Sequence, residues 1–153
     1  MADIIVPGPC TIHWAGNDLG ATKSGIVIRA TVTWEPITYD GTGGVPADFL
    51  LTAKECTVET VLVEPDKIKA AAPWIDKLLK FDLPGRLGSD EAGKLEIYHR
   101  GDANPSWVAD KTIPRISSNI MLSSTQEFQL GVSFLVIPQW VDDHWELFSK
   151  VGV

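Results

Sequence analysis

The sequence is poor in the residues on which metal-dependent and membrane-spanning proteins rely. Its two cysteines are far apart and form no Cys-x-x-Cys pair, and its three histidines are scattered without zinc-site spacing. We therefore expect no metal and no other cofactor. No apolar run approaches the ~20 residues that cross a bilayer, and the first residues lack the basic start and apolar region of a signal peptide. A soluble chain, made in the cytoplasm and without membrane contact, is predicted.

Clustered positive charge is also missing. The 13 Lys and Arg residues are scattered along the chain, and the net charge is −7. Because binding to a phosphate backbone needs clustered basic side chains, we expect no specific binding of nucleic acid. An acidic surface nevertheless suits a passage through which DNA must slide without sticking, since like charges repel each other.

Signatures of catalysis are lacking as well. The segment Gly88 to Lys94 matches the first seven positions of a phosphate-binding P-loop. However, Leu95 stands where a hydroxyl should reach magnesium, and a strand rather than a helix is predicted to follow. Asp142-Asp143 beside His144 is interpreted as a solvated acidic turn rather than an acid–base site. We assign no catalytic residue and predict that the chain is not an enzyme.

What the sequence does contain is one long segment with two distinct faces, from Gly20 to Glu64. Its first half, Ser24 to Trp34, is rich in β-branched residues that alternate with a period of two. Its second half, Leu51 to Val63, alternates less cleanly. Both halves exceed the usual strand length of ~5–6 residues. One face is predicted to carry Ile26, Ile28, Ala30, Val32, Trp34, Lys54, Cys56, Val58 and Leu62, and the other Arg29, Thr31, Thr33, Glu35, Ala53, Glu55, Thr57 and Glu59.

A long loop and an extended N-terminal arm accompany this segment. Residues 36–50 contain several prolines and glycines, and loops of that length are usually functional or disordered. Residues 1–9, with Pro7 and Pro9, are predicted to form an extended arm. A long ribbon with two faces and a protruding loop is typical of a protein that assembles with copies of itself.

The rest of the chain is predicted to complete a single domain, residues 1–153, of about seven strands and one helix. A helix is predicted from Glu64-Pro65 onwards, with an apolar face from Ile68 to Leu79 and a kink at Pro73. Residues 140–153 remain open between a short helix and a last strand. The further predicted strands are Cys10 to Trp14, Lys94 to His99, and a closing antiparallel pair, Ile116 to Ser124 and Glu127 to Ile137. Residues 107–114 are ambiguous.

The six tryptophans share no local motif. Aromatic side chains on a β-face stack against sugars in carbohydrate-binding modules, and they also serve as anchors in cores and interfaces. The second interpretation is favoured, and the first is kept as an alternative.

Several stretches together resemble the tail tube (major tail) proteins of long-tailed bacteriophages. The first runs from Asp18 to Ile28, and Glu35-Pro36 and an Asp- and Gly-rich loop follow it. The resemblance continues through Pro46-Ala-Asp-Phe-Leu-Leu-Thr-Ala-Lys-Glu-Cys-Thr-Val-Glu59, the acidic Glu64 and Phe134-Leu-Val-Ile-Pro138. It spans roughly residues 5 to 138 and rests on spacing and residue character rather than on an invariant motif.

The resemblance implies a mainly β fold, a β-sandwich or half-barrel with one flanking α-helix. Its long strands pair between subunits into a ring-shaped barrel, and hexameric rings stack into a tube that conducts DNA during ejection. It also implies tape measure, terminator and baseplate proteins as partners, and a virion tail assembled in the host cytoplasm. DNA would pass through the tube without specific binding.

The resemblance also implies roles for particular residues. The lumen-facing set is Arg29, Thr31, Thr33, Glu35, Glu55, Thr57 and Glu59. The contact between rings is expected from Pro36, Tyr39, Asp40, Gly43, Gly44, Pro46 and Phe49 of the loop, and from Ile4, Ile5, Val6 and Pro7 of the N-terminal arm. Arg29 departs from an acidic lining, so either it pairs with a Glu of the adjacent strand or the assignment of the face is wrong.

Other functions fit the same features. A neck, tail-terminator or capsid-decorating protein makes a single ring or trimer and does not polymerise without limit. A carbohydrate-binding β-sandwich is expected to be monomeric and to lose sugar binding when one exposed Trp is replaced.

Overall fold

The structure is a computed structural model and describes residues 2–64, 67, 92–99, 101–116 and 129–152. The described chain is mainly β, and its one short helical element is a 3-10 turn at Asp40–Thr42. The strands are β1 (Ala2–Val6), β2 (Cys10–Trp14), β3 (Asn17–Ile37), β4 (Asp48–Leu62), β5 (Gly93–His99), β6 (Trp107–Ile116), β7 (Leu130–Val136), β8 (Gln139–Val141) and β9 (His144–Glu146).

Strand pairing closes one antiparallel sheet on itself. The pairs run β3–β2, β2–β5, β5–β6, β6–β7, β7–β4 and β4–β3, so each of these six strands has two neighbours. β1 adds a seventh strand along the middle of β3, where Val6 lies opposite Ile26 and Ala2 opposite Ala30. β8 and β9 form a separate two-stranded sheet. Because the sheet closes, each of these six strands has both edges paired along the part of its length that its two neighbours cover.

The core fills the inside of the closed sheet, and the alternation of the strands supplies it. On β4, Cys56, Val58, Thr60 and Leu62 are buried, and the residues between them are not. The side chains of Phe134, Ile12, Leu95 and Ile97 are fully buried in the same cluster. Cys10 and Cys56 are both free and buried, and burial raises the pKa of the Cys56 thiol to about 11, with Lys54 opposing the shift. Both cysteines therefore serve as small core residues.

A cluster of ion pairs and hydrogen bonds holds Glu64 against the start of β3. The Glu64 carboxylate accepts a hydrogen bond from the Ala21 N–H at 2.9 Å, and Lys67 Nζ lies 3.1 Å from Asp18 Oδ2. Burial acts to raise the pKa of Asp18, but the hydrogen bond from the Gly20 N–H and the charge of Lys67 together lower it. Gly20 has a φ of +90°, and a Cβ there would collide with the Glu64 carboxylate. These contacts therefore anchor the chain that follows β4 to the start of β3.

Several sequence predictions are confirmed. Strands occupy Cys10–Trp14 and Gly93–His99, so Lys94 lies on a strand and the P-loop match has no helix after it. The two halves of the long segment form the β3–β4 hairpin. Residues 107–114, which the sequence left ambiguous, belong to β6.

Other predictions were left open or lie outside the described residues. Of the two structures left open for residues 140–153, the strand is the one observed, in the β8–β9 hairpin. Asp142-Asp143 forms its exposed turn, as interpreted from the sequence, with positive φ values of 48° and 65°. β7 pairs with β6 and β4; most of its predicted partner, 116–124, is not described. The predicted helix after Glu64 is likewise outside the described residues, except for Lys67.

The first prediction concerns Gly25, which allows β1 to reach β3. Its φ is +87°, and a Cβ there would lie 2.5 Å from the Val6 carbonyl oxygen. Gly25→Ala is therefore expected to lower the free energy of unfolding by ~1–3 kcal/mol, through backbone strain and the clash. Gly41→Ala is the matched control, because no atom lies within 4 Å of a Cβ built there. Urea unfolding of the two variants checks this, and equal midpoints would contradict it.

Candidate assembly surface

The β3–β4 hairpin extends well beyond the closed sheet. We call residues 31–55, the end of β3, the loop and the start of β4, the projecting hairpin. From Asp48 to Glu55 every residue of β4 is exposed, whereas from Cys56 onwards every second one is buried. The same change occurs along one face of β3, where Ile28 is 1% exposed but Trp34 is 55% exposed. The apolar pattern continues past the point at which the described core covers it.

The exposed apolar side chains lie in register across the projecting hairpin. Trp34 lies opposite Leu51, and Pro36 lies opposite Phe49. Residues that lie opposite each other share a face in an antiparallel pair. A bulge at Thr52, whose hydroxyl donates to the Thr33 carbonyl oxygen at 3.3 Å, keeps these residues on the face of Ile28. This face therefore extends the core pattern into solvent.

Both outer edges of the projecting hairpin lack a strand neighbour within the described chain. β1 reaches β3 only as far as Ala30, so residues 31–37 pair with β4 alone. β7 reaches β4 only from Thr57 onwards, so residues 48–56 pair with β3 alone. An exposed, long strand edge with apolar side chains is a template for pairing with another chain.

The predicted lumen-facing residues lie together on the opposite face. Arg29 lies opposite Thr57, Thr31 opposite Glu55, and Thr33 opposite Ala53. Arg29 Nε is 3.4 Å from Glu59 Oε2 and 4.0 Å from Asp3 Oδ1, so Arg29 pairs with a Glu of the adjacent strand, as one of the two expectations states. Glu35 lies opposite Leu50 at the far end of this face. The ion pairs of Arg29 with Glu59 and Asp3 are half exposed. Each therefore contributes only between a few tenths of a kcal/mol and ~1 kcal/mol to the stability of the fold.

The loop at the tip is shorter than the predicted range 36–50. β3 and β4 continue to Ile37 and Asp48, so Pro36 and Phe49 belong to strands and the loop that connects the strands is 38–47. Tyr39 is 61% exposed and Val45 64%. Asp40 begins the 3-10 turn, and Gly43 and Gly44 have positive φ values of 64° and 86°. Pro46 is exposed as well.

The residues predicted for the N-terminal arm lie mostly in β1, on the β3 of the same chain. Val6 is buried, whereas Ile4 is 43% and Ile5 69% exposed. Pro7, after the strand, is exposed. β1 therefore adds two exposed isoleucines beside the base of the projecting hairpin.

One surface escaped the sequence reasoning, namely the β8–β9 hairpin beside β4. Trp140 lies opposite Trp145, their rings meet edge to face at 5.1 Å, and they are 59% and 64% exposed. The signal was the predicted turn Asp142-Asp143, which as a two-residue hairpin turn places the two flanking tryptophans opposite each other. This surface is part of the same apolar region, because it borders residues 51–54 of β4.

The described residues offer no built site for a metal. No three His, Cys, Asp or Glu side chains of that part of the chain are grouped so that they could hold one. Within the same residues, no helix is long and apolar enough to cross a membrane. No protein family model matches the chain, and no curated protein is significantly similar to it.

The second prediction compares two phenylalanines that differ only in their surroundings. Phe134 is fully buried, whereas Phe49 is 56% exposed on the projecting hairpin. Under conditions that keep the protein monomeric, Phe134→Ala is expected to lower the free energy of unfolding by ~3–5 kcal/mol. Phe49→Ala is expected to lower it by less than ~1 kcal/mol. Chemical unfolding measures both, and a large loss in Phe49→Ala would show that the projecting hairpin is part of the core.

Proposed function

We propose that this protein is a structural virion protein, a tail tube subunit that assembles with copies of itself into stacked hexameric rings around a passage for DNA. The observation that carries the proposal is the projecting hairpin, whose two edges are unpaired in the described chain and whose apolar face is uncovered. An isolated monomer gains nothing from such a hairpin, whereas an assembly buries it. The resemblance of the sequence to tail tube proteins supports the same conclusion.

In this assembly the projecting hairpins stand side by side. The free edge of β4 in one copy pairs with the free edge of β3 in the next, so the ring has one continuous sheet and no open edges. A contact between two different surfaces closes into a ring when the rotation between copies divides the circle. The flanking helix and the sandwich or half-barrel arrangement expected from the resemblance belong to this proposal.

The face that carries Thr31, Thr33, Glu35 and Glu55 lines the passage in this proposal. These four side chains are polar or acidic, and all four are exposed, although Ala53 and Leu50 lie on the same face. Arg29 is held by Glu59 and Asp3, so its charge is compensated and does not attract phosphate strongly. A net charge of −7 further disfavours binding to DNA. DNA then slides through the passage, and no catalytic step is needed.

Stacking of rings involves the loop 38–47 and β1 in this proposal, because both carry exposed apolar residues, among them Tyr39, Val45, Ile4 and Ile5. Tape measure, terminator and baseplate proteins would meet the ends of such a tube. A neck, terminator or decoration protein would use the same edges for one ring only. A sugar-binding module would use an exposed Trp and no second copy.

The third prediction tests the role of the loop. Replacing residues 38–47 by Asn-Gly, a pair that favours a two-residue hairpin turn, should keep β3 and β4 paired. We expect this variant to retain its fold and to form rings, but to form no long tubes, because the contact between rings is removed. Circular dichroism checks the fold, and sedimentation velocity checks the size of the assemblies.

Two results would contradict this proposal in different ways. Long assemblies of unchanged size from the shortened variant would show that the loop does not connect rings. Discrete rings from the unmodified protein, with no further growth at high concentration, would favour a neck or terminator role.

A further inference from the structure

A groove runs between the free edge of β4 and the β8–β9 hairpin. β7 follows β4 as far as Leu135, which lies opposite Thr57, and then ends at Val136. If the chain continued straight, it would pair with residues 51–55. Instead Pro138, which has no N–H to donate, leads into β8, and β8 pairs with β9. The two strands therefore diverge and leave a cavity of about 710 Å³ between them.

The walls of this groove differ in chemistry. One wall is the strand edge of β4 at Leu51, Thr52, Ala53 and Lys54. The other is mostly apolar and aromatic, with Trp140 and Trp145 as its largest side chains. A strand edge offers N–H and C=O groups to an extended partner, and a neighbouring apolar recess receives one of its side chains. The groove is therefore suited to a β-strand that carries a large apolar side chain.

We propose that this groove receives Trp34 of a second copy of the chain, whose β3 pairs with the free edge of β4. The inference rests on the proposed function and specifies where two neighbouring copies meet. Trp34 is 55% exposed and lies in residues 31–37, the stretch of β3 with one edge unpaired in the described chain. Trp34 does not line the groove of its own chain, because β4 lies between them.

Strand direction favours β3 of the second copy over its β1. β1 and β4 both run antiparallel to β3. In a ring, a given strand points the same way along the ring axis in every copy. β3 of the next copy is therefore antiparallel to β4, as β3 and β4 are within one chain. β1 of the next copy would meet β4 in parallel. The pairing with β3 also places the two projecting hairpins at the same height.

The chemistry of the contact is aromatic. Trp140 and Trp145 already meet edge to face, and a third indole adds a large apolar area with favourable ring geometry. Val32, 36% exposed, lies two residues before Trp34 on the same face and would be covered with it. Aromatic residues that fill a pocket are the usual anchors of protein interfaces.

The test uses the fact that the groove and Trp34 are different surfaces of one chain. Trp34→Ala removes the inserted side chain and leaves the groove intact. Trp145→Ala removes part of the groove wall and leaves Trp34 in place. Each variant alone is expected to stay monomeric at concentrations where the unmodified protein associates, with at least ~10-fold weaker association, the loss typical of an interface anchor. Val151→Ala, which truncates an exposed apolar residue outside the groove, is expected to associate normally.

Mixing the two variants gives the decisive result. Trp34 of the Trp145→Ala chain fits the intact groove of the Trp34→Ala chain, so a 1:1 mixture is expected to form heterodimers. These cannot grow, because one free end has no Trp34 and the other has a damaged groove. Sedimentation velocity distinguishes monomers, dimers and larger species, and unfolding curves of each variant check that the fold is retained.

The possible failures separate this inference from the proposed function. If Trp145→Ala forms the same assemblies as the unmodified protein, or the mixture stays monomeric while Val151→Ala assembles, the groove does not receive Trp34, although copies still associate. If the unmodified protein stays monomeric at all concentrations, both proposals are wrong. In that case, quenching of tryptophan fluorescence by oligosaccharides that disappears in Trp145→Ala would identify the groove as a sugar site.

Discussion

The pairing of strand edges is the constraint on which the rest of this structure depends. β3 has 21 residues and β4 has 15. However, β1 reaches along β3 only to Ala30, and β7 reaches along β4 only to Thr57. Beyond these points, within the described chain, each strand has one neighbour and one bare edge. Soluble proteins normally shorten, charge or cover such edges. This is why we propose that the long bare hairpin, with its apolar face, is half of an interface.

This constraint divides the molecule into two parts with different tasks. The closed sheet buries the apolar cluster around Phe134 and carries the stability of the fold. The projecting hairpin and the β8–β9 hairpin hold most of the large exposed apolar side chains, including Trp34, Phe49, Trp140 and Trp145. A chain that folds on one part can associate through the other without unfolding. Polar residues on the reverse face of the hairpin then remain free to line a passage.

Much of the fold follows from the sequence, because alternation is a direct consequence of strand geometry. The long hairpin and its two faces were predictable in this way, whereas the pairing of Arg29 with a neighbouring Glu was one of two alternatives that the sequence left open. The loop was overestimated because Pro36, which strand propensity disfavours, nevertheless continues β3 and lies opposite Phe49. The C-terminal hairpin was left open because Val141, Trp145 and Phe148 also fit helical spacing. The groove beside β4 was unpredictable, since it arises from the divergence of β7 and β4, which no local pattern records.

The most direct test of the central claim is electron microscopy of the purified, unmodified protein in negative stain over a range of concentrations. If the projecting hairpin pairs between copies, the images will show six-fold rings that stack into hollow tubes, and the tubes will lengthen as the concentration rises. Single particles of monomer size at every concentration would contradict the claim, because the bare edges of β3 and β4 would then be stable without a partner.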